Sequence, residues 1–274
     1  MMGLRDRGVE IKTPEQIDAM RRAGLVVGQT LETLRAAVRP GISTAELDAI
    51  AEDSIRSRGA TPSFLGYQDF PASICASVND EVVHGIPGDR VLAEGDLISI
   101  DCGAIVEGWH GDAAISVAVG TVSPEVTRLM EVTEAAMWRG IAAARLGGRV
   151  TDISHAIEGY VKRNGRYGIL EDYVGHGIGS AMHQPPNVPN FGRPGKGPKI
   201  VEGLALAIEP MITLGTKESI VLDDEWTVIT ADGSWAAHFE HTMTVTSTGT
   251  WVLTALDGGE EMLGRLGVPF GGRG

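Results

Sequence analysis

Asp101, Asp112, Glu209 and Glu240, together with His176 set among glycines, are the residues whose types and spacing could do chemistry. Each acid falls in a run that reads as a strand or a tight strand end. An isolated carboxylate among hydrophobic strands carries a large desolvation cost, so several together call for strong positive charge between them. A pair of metal cations is the simplest source. A purely oxygen-lined site would suit calcium or magnesium, whereas adding the imidazole of His176 shifts the preference toward Mn, Fe, Co or Zn. The competing explanation, that the acids lie on solvated strand faces or edges, serves for one of them far better than for four.

Period-two alternation puts Asp101 with Ser99, opposite Ile98, Ile100 and Cys102. After Gly108-Trp109-His110-Gly111, Asp112 falls in phase with Ala114, Ser116 and Ala118, opposite Ile115, Val117 and Val119. Folded as a hairpin, these two runs bring both aspartates to one surface. Glu209 shares its phase with Ala205 and Ala207, against Leu204, Leu206 and Ile208, before Pro210 ends the strand. Glu240 goes with Thr242 and Thr244, against Phe239, Met243 and Val245. All four acids thus occupy equivalent phases, and like charges so gathered raise one another's pKa unless cations compensate.

His176 opens Gly175-His176-Gly177-Ile178-Gly179-Ser180-Ala181-Met182-His183-Gln184-Pro185-Pro186, where glycines allow close backbone approach and prolines fix the exit. The segment is no phosphate loop, having neither the GxGxxG order nor a GK[ST] ending. The sequence holds no GxSxG and no CxxC, which leaves serine hydrolase and zinc-ribbon chemistry unsupported.

The elements that must position these residues are legible in outline. The chain has 274 residues, 43% of them hydrophobic, enough for one large core. A net charge of −13 argues against a nucleic-acid surface. Neither the opening Met1-Met2-Gly3-Leu4-Arg5-Asp6-Arg7 nor any later stretch suits a signal peptide or a membrane span, so a cytoplasmic location is expected. Cys75 and Cys102 are too few for a disulfide framework and are expected reduced.

Segments 20–58 and 127–165 share a plan of helix, glycine turn, threonine, second helix. A constant shift of 107 (148 − 41) pairs Gly41 with Gly148, Thr44 with Thr151, and five further identities. The glycines suit helix C-termini and the threonines suit N-caps. Strand-like runs follow in each half, at 96–119 and 202–252, giving an α+β architecture of helices then antiparallel strands. The expectation is a single domain over 1–256, with pseudo-repeat halves near 10–122 and 123–256. The Gly-rich tail, 257–274, is expected to have little to pack with and to fray.

Together, Asn79-Asp80-Glu81-Val82-Val83-His84-Gly85-Ile86-Pro87, the IDCG and HGDAA segments, GHGIGSAMHQPP, IEPM and FEHT resemble a type I methionine aminopeptidase of family M24, from about residue 10 to residue 255. The resemblance implies the pita-bread fold: two pseudo-symmetric αβ halves, a curved antiparallel sheet inside and helices outside. Position by position it implies Asp112 and Glu240 as bridging carboxylates, Asp101 on one metal, and His176 with Glu209 on the other. It places His84 near the scissile amide nitrogen and His183 near the peptide carbonyl oxygen. Tyr67, Phe70, Cys75, Met182 and Trp226 become the methionine pocket, an apolar, polarisable set suited to a thioether. Against the family pattern, Met182 stands where Phe is common and Gln184 where Glu is common; activity is expected to survive both.

The implied activity is removal of N-terminal methionine before a small second residue, by water activated between two divalent ions (Co, Mn, Fe or Zn), with Glu209 shuttling the proton. Its partners would be peptide and nascent-protein N-termini, with the ribosome left open, no nucleic acid and no membrane, and the chain acting as a monomer. A proline-specific aminopeptidase or prolidase shares the ligand types but usually carries an additional N-terminal domain, for which no room is expected here. A catalytically silent module on the same fold would typically have lost ligands, and all five are present.

Overall fold

A computed structural model describes residues 8–273; the charged opening, Met1 to Arg7, lies outside these residues, as does Gly274 of the tail. Four long helices are set by the chemistry of their own ends. Helix α1 (Pro14–Ala37) starts where the Thr13 hydroxyl accepts the Gln16 N–H at 3.4 Å and the Gln16 side chain accepts the Thr13 N–H at 2.8 Å. Helix α2 (Thr44–Ser57) repeats the device with Ser43 and Glu46. Helix α3 (Pro124–Ala143) is capped by Ser123, and α4 (Val150–Asn164) by the Asp152 carboxylate, which accepts the Arg149 N–H at 2.7 Å.

The N-cap role expected of Thr44 and Thr151 therefore belongs to Ser43 and Arg149. The threonines lie inside the first turn and play a matched part there. Thr44 Oγ1 donates to Gly88 O at 3.0 Å and accepts the Gly88 N–H at 2.9 Å, while Thr151 Oγ1 donates to Lys196 O at 3.1 Å and accepts the Lys196 N–H at 2.7 Å. Each ties a helix start to a later loop of its own half. Gly148 is likewise corrected: the left-handed partner of Gly41 (φ +89°) is Gly147 (φ +85°).

In the first half the strands are β1 (Thr61–Pro62), β2 (Ile74–Val78), β3 (Glu81–Val83), β4 (Leu97–Val106) and β5 (Trp109–Ala118). The second half contributes β6 (Gly168–Ile169), β7 (Gly175–Gly177), β8 (Gln184–Val188), β9 (Ala205–Ile208), β10 (Met211–Thr213), β11 (Ser219–Val221), β12 (Val228–Thr230), β13 (Ala236–His238), β14 (His241–Val245) and β15 (Thr250–Val252). Strand β4 pairs with β5 along its whole length and with β1 and β2 on its other edge. The second half builds β15-β14-β9-β7-β8 and β13-β10-β6, and β11-β12-β3 joins the two halves. Every strand pair is antiparallel, as the alternation implied.

Helix α1 lies against β4 and β5, burying Ile17, Met20, Val27, Leu31 and Leu34 at three- and four-residue spacing. Closeness there depends on absent side chains: a Cβ on Gly24 would stand 2.2 Å from the Leu253 carbonyl oxygen, and one on Gly111 would stand 2.7 Å from the Gly24 nitrogen. Helices α3 and α4 pack on each other, and α3 covers β9, β10 and β13. The main core runs between these outer helices and the strands.

The tail departs from expectation. Helix α5 (Glu260–Arg265) buries Leu263 completely, Val268 and Phe270 pack on the core, and the Gly271 N–H donates to Thr250 O at 2.8 Å. Gly258 and Gly259, both left-handed, turn the chain back onto β15. A glycine-rich composition hid a few well-spaced apolar anchors.

Candidate metal centre

Within the β4–β5 hairpin Gly103 lies opposite Asp112 and Asp101 opposite Ala114, so the two aspartates are diagonal neighbours on one face. The backbone of β5 that faces away from β4 meets the second half. Ala114 and Glu240 exchange backbone hydrogen bonds at 2.9 and 3.3 Å. Two residues on, the Thr242 hydroxyl closes the ladder by accepting the Asp112 N–H at 3.1 Å and donating to Asp112 O at 2.8 Å. These contacts hold Asp112 and Glu240 at the seam between halves, where neither half alone could bring them together.

Glu209 follows directly on β9, its carbonyl accepting from the buried Asn190 amide at 3.1 Å. His176, in β7, donates Nδ1–H to Gly177 O at 3.0 Å, which leaves Nε2 facing Glu209 Oε1 at 3.4 Å. The other oxygen of Glu209 is 3.5 Å from Nε2 of His238. All five residues expected as ligands line a single cavity of about 220 Å³.

Oxygens of Asp101, Asp112 and Glu240 are buried there without any hydrogen-bond partner, and Nε2 of His238, outside the cavity lining, is buried and unpartnered as well. Donor atoms of Asp112, His176 and Glu240 fall within 4.8 Å of one another, as do those of Glu209, His238 and Glu240. Burial pushes the Asp101 and Glu209 carboxyls up, to about 7 and about 8. Burial, reinforced by neighbouring acids, drives Asp112 and Glu240 well above the carboxylate range. Burial holds the His176 imidazole down at about 3, keeping a lone pair available. Unpartnered carboxylate oxygens converging on a neutral imidazole in one chamber are a donor set that could hold metal.

Beside the acids is an apolar cup. Cys75 lies across from Asp101 in the β2–β4 pairing, and Phe70 meets Trp226 edge to face at 5.0 Å. Met182 and Tyr67 complete the expected set. Phe64 also lines it, given room because a Cβ on Gly103 would sit 2.8 Å from its ring. That contribution was not legible, since Phe64 precedes a turn and lacks periodic neighbours.

His84, held at a left-handed φ of +61°, packs edge-on to Tyr173 and Trp226, and burial lowers its pKa to about 4. Nδ1 of His183 is 2.9 Å from the Tyr67 hydroxyl, and its ring centroid is 4.3 Å from that of His176. Both histidines line the cavity with the acids. Gln184 accepts from the buried Lys12 ammonium at 3.3 Å, and Glu10 supplies the nearby negative charge, accepting from Ser180 Oγ at 2.7 Å and Ser180 N–H at 3.1 Å. The loop carrying His183 is thereby tied to the N-terminal arm.

His238 is the residue missed by sequence reasoning. Its signal was present: it shares the period-two phase of Glu240. Its neighbour His241 points elsewhere, to Thr254 Oγ1 at 2.8 Å and the Trp138 ring.

A family model described as Metallopeptidase family M24 matches residues 18–247. The chain is 55% identical over 254 residues to Methionine aminopeptidase 1 of Mycobacterium tuberculosis, covering 90% of this chain and 96% of that one. It is 53% identical over 245 residues to the methionine aminopeptidase of Clostridium acetobutylicum, covering 89% and 98%. Among solved structures, methionine aminopeptidase from Rickettsia prowazekii is 40% identical and matches with a TM-score of 0.88 over 90% of this chain and 99% of that one. Among the described residues, no helix is long and apolar enough to cross a membrane.

Proposed function

The chain belongs to metallopeptidase family M24, among its methionine aminopeptidases and with their pita-bread fold, and on that premise we propose how its own residues divide the work. Asp101, Asp112, His176, Glu209 and Glu240 would hold two divalent cations, Asp112 and Glu240 serving both, Asp101 one, and His176 with Glu209 the other. The observation that carries this is the set of buried, unpartnered carboxylate oxygens facing one chamber beside an apolar cup. The donor mix of four carboxylates and imidazole suits Mn, Fe, Co or Zn.

When bound, the cations supply a water acidic enough to attack near neutral pH and polarise the scissile carbonyl. Glu209 takes the proton from the attacking water and moves it toward the leaving amine. The Tyr67 hydroxyl, 2.9 Å from His183 Nδ1, can donate to it, and in that tautomer Nε2–H is free to donate to the developing oxyanion. His84, also lining the cavity, is placed to receive the scissile amide nitrogen. Tyr67, Phe70, Cys75, Met182 and Trp226 take the methionine thioether and exclude water from it. The substrate is the free N-terminus of a peptide or nascent protein with a small second residue, cleaved in the cytoplasm by a monomer; the emerging chain makes the ribosome the partner to test.

Metal content measured beside turnover of Met-Ala-Ser and of an X-Pro peptide tests the reading. Met-Ala-Ser should be cleaved, and D112A or E240A should lose several orders of magnitude of turnover with the fold intact. Faster cleavage of X-Pro, a metal-free inert protein, or near-normal turnover in either variant rejects it.

A further inference from the structure

We infer that His238 is a sixth ligand of the metal centre, its Nε2 joining Glu209 and Glu240 on one cation. The inference rests on the proposed metal centre and adds to it a donor that lies outside the five residues identified from sequence. His238 is 1% exposed, and its Nε2 has no hydrogen-bond partner. A buried imidazole nitrogen left unpaired is a defect unless something else fills its lone pair.

The geometry points to a cation. Nε2 of His238, one oxygen of Glu209 and one of Glu240 lie within 4.8 Å of one another. Two donors about 2.1 Å from a shared ion stand roughly 3.0–3.4 Å apart in octahedral or tetrahedral coordination. His238 Nε2 is 3.5 Å from Glu209 Oε2, almost the same as the 3.4 Å between His176 Nε2 and Glu209 Oε1. Glu209 is flanked by one imidazole on each carboxylate oxygen.

The backbone that carries the ring is also held. The His238 N–H donates to Ser116 Oγ at 2.9 Å, the same hydroxyl donates to His238 O at 3.0 Å, and His238 pairs with Met211 across β13 and β10. Ser116 is on β5, the strand of Asp112, so the first half fixes the backbone of a ligand supplied by the second. A second imidazole moves the site further from calcium and magnesium toward Fe, Co and Zn.

Cobalt(II) added anaerobically to the metal-free enzyme gives a readout independent of turnover. Proton NMR of the loaded protein should show two strongly shifted, solvent-exchangeable imidazole N–H signals, one from His176 and one from His238. H238Q should lose one of them and bind cobalt about tenfold more weakly or worse in a chelator competition, and H176Q should lose the other. A single shifted signal in the unaltered protein, kept in H238Q and lost in H176Q, overturns the His238 ligand while leaving the five-residue centre standing. No cobalt binding at all removes both. The count in the unaltered protein decides the matter even if a variant fails to fold.

Discussion

Replacing Thr242 by Val tests whether the seam between halves is what holds the site. The Thr242 hydroxyl is completely buried and makes two hydrogen bonds to the backbone of Asp112, accepting its N–H at 3.1 Å and donating to its carbonyl at 2.8 Å. Valine keeps the shape and removes both, stranding a buried N–H and C=O. Each bond is worth about 1 kcal/mol net, and an unsatisfied buried group costs about 1–3 kcal/mol, so T242V should lose about 2–4 kcal/mol. T242S keeps the hydroxyl and gives up one methyl, which costs about 1 kcal/mol. With a urea slope of roughly 2–3 kcal/mol/M, the unfolding midpoint of T242V should fall by about 1 M, with slope unchanged, and that of T242S by less than half as much. Cobalt affinity should fall with it, because Asp112 loses the contact that aims it. If T242V proves no less stable than T242S, the hydroxyl does not hold Asp112 and the account of the seam is wrong.

Gly24→Ala forces a methyl to 2.2 Å from the Leu253 carbonyl oxygen, so α1 must lift from the chain that leaves β15; overpacking of this kind costs about 3 kcal/mol, read as a drop in urea midpoint. In the metal-free protein the Asp101 and Glu209 carboxyls sit near 7 and 8, against about 4 when unfolded, so the folded state binds more protons. Their contribution is complete below about pH 4 and is lost as pH rises through 7 to 8. The buried histidines, held down by burial, oppose this trend below neutrality but are neutral both folded and unfolded above about pH 7.5. The melting midpoint of chelated protein should therefore fall from about pH 7.5 to about pH 8.5, and metal loading should abolish the difference; a midpoint that rises over that range contradicts burial of the acids. Acetylating the α-amine of Met-Ala-Ser should abolish cleavage, because in the proposed reading the free amine must enter the metal chamber; hydrolysis of the blocked peptide would contradict an exopeptidase site.

Sequence by itself determined the faces. Alternation is a local property, set by the two-residue repeat of an extended backbone, and it put Asp101, Asp112, Glu209 and Glu240 on the polar sides of their strands before any contact was known. Motif wording then named the family and the cup residues. Tertiary structure decided what those faces meet. Nothing local says that the open edge of β5 receives Glu240 and Thr242, since that pairing joins residues more than a hundred positions apart. The same holds for His238, in phase with Glu240 yet recognisable as a donor only once Glu209 stands 3.5 Å away. Thr44 and Thr151 differ from their expected role because a later loop offers them a backbone partner. The tail packs because two left-handed glycines aim Leu263 and Phe270 at the core. A strand's period fixes direction at each residue, whereas the partner in that direction is chosen by the long-range closure of the chain.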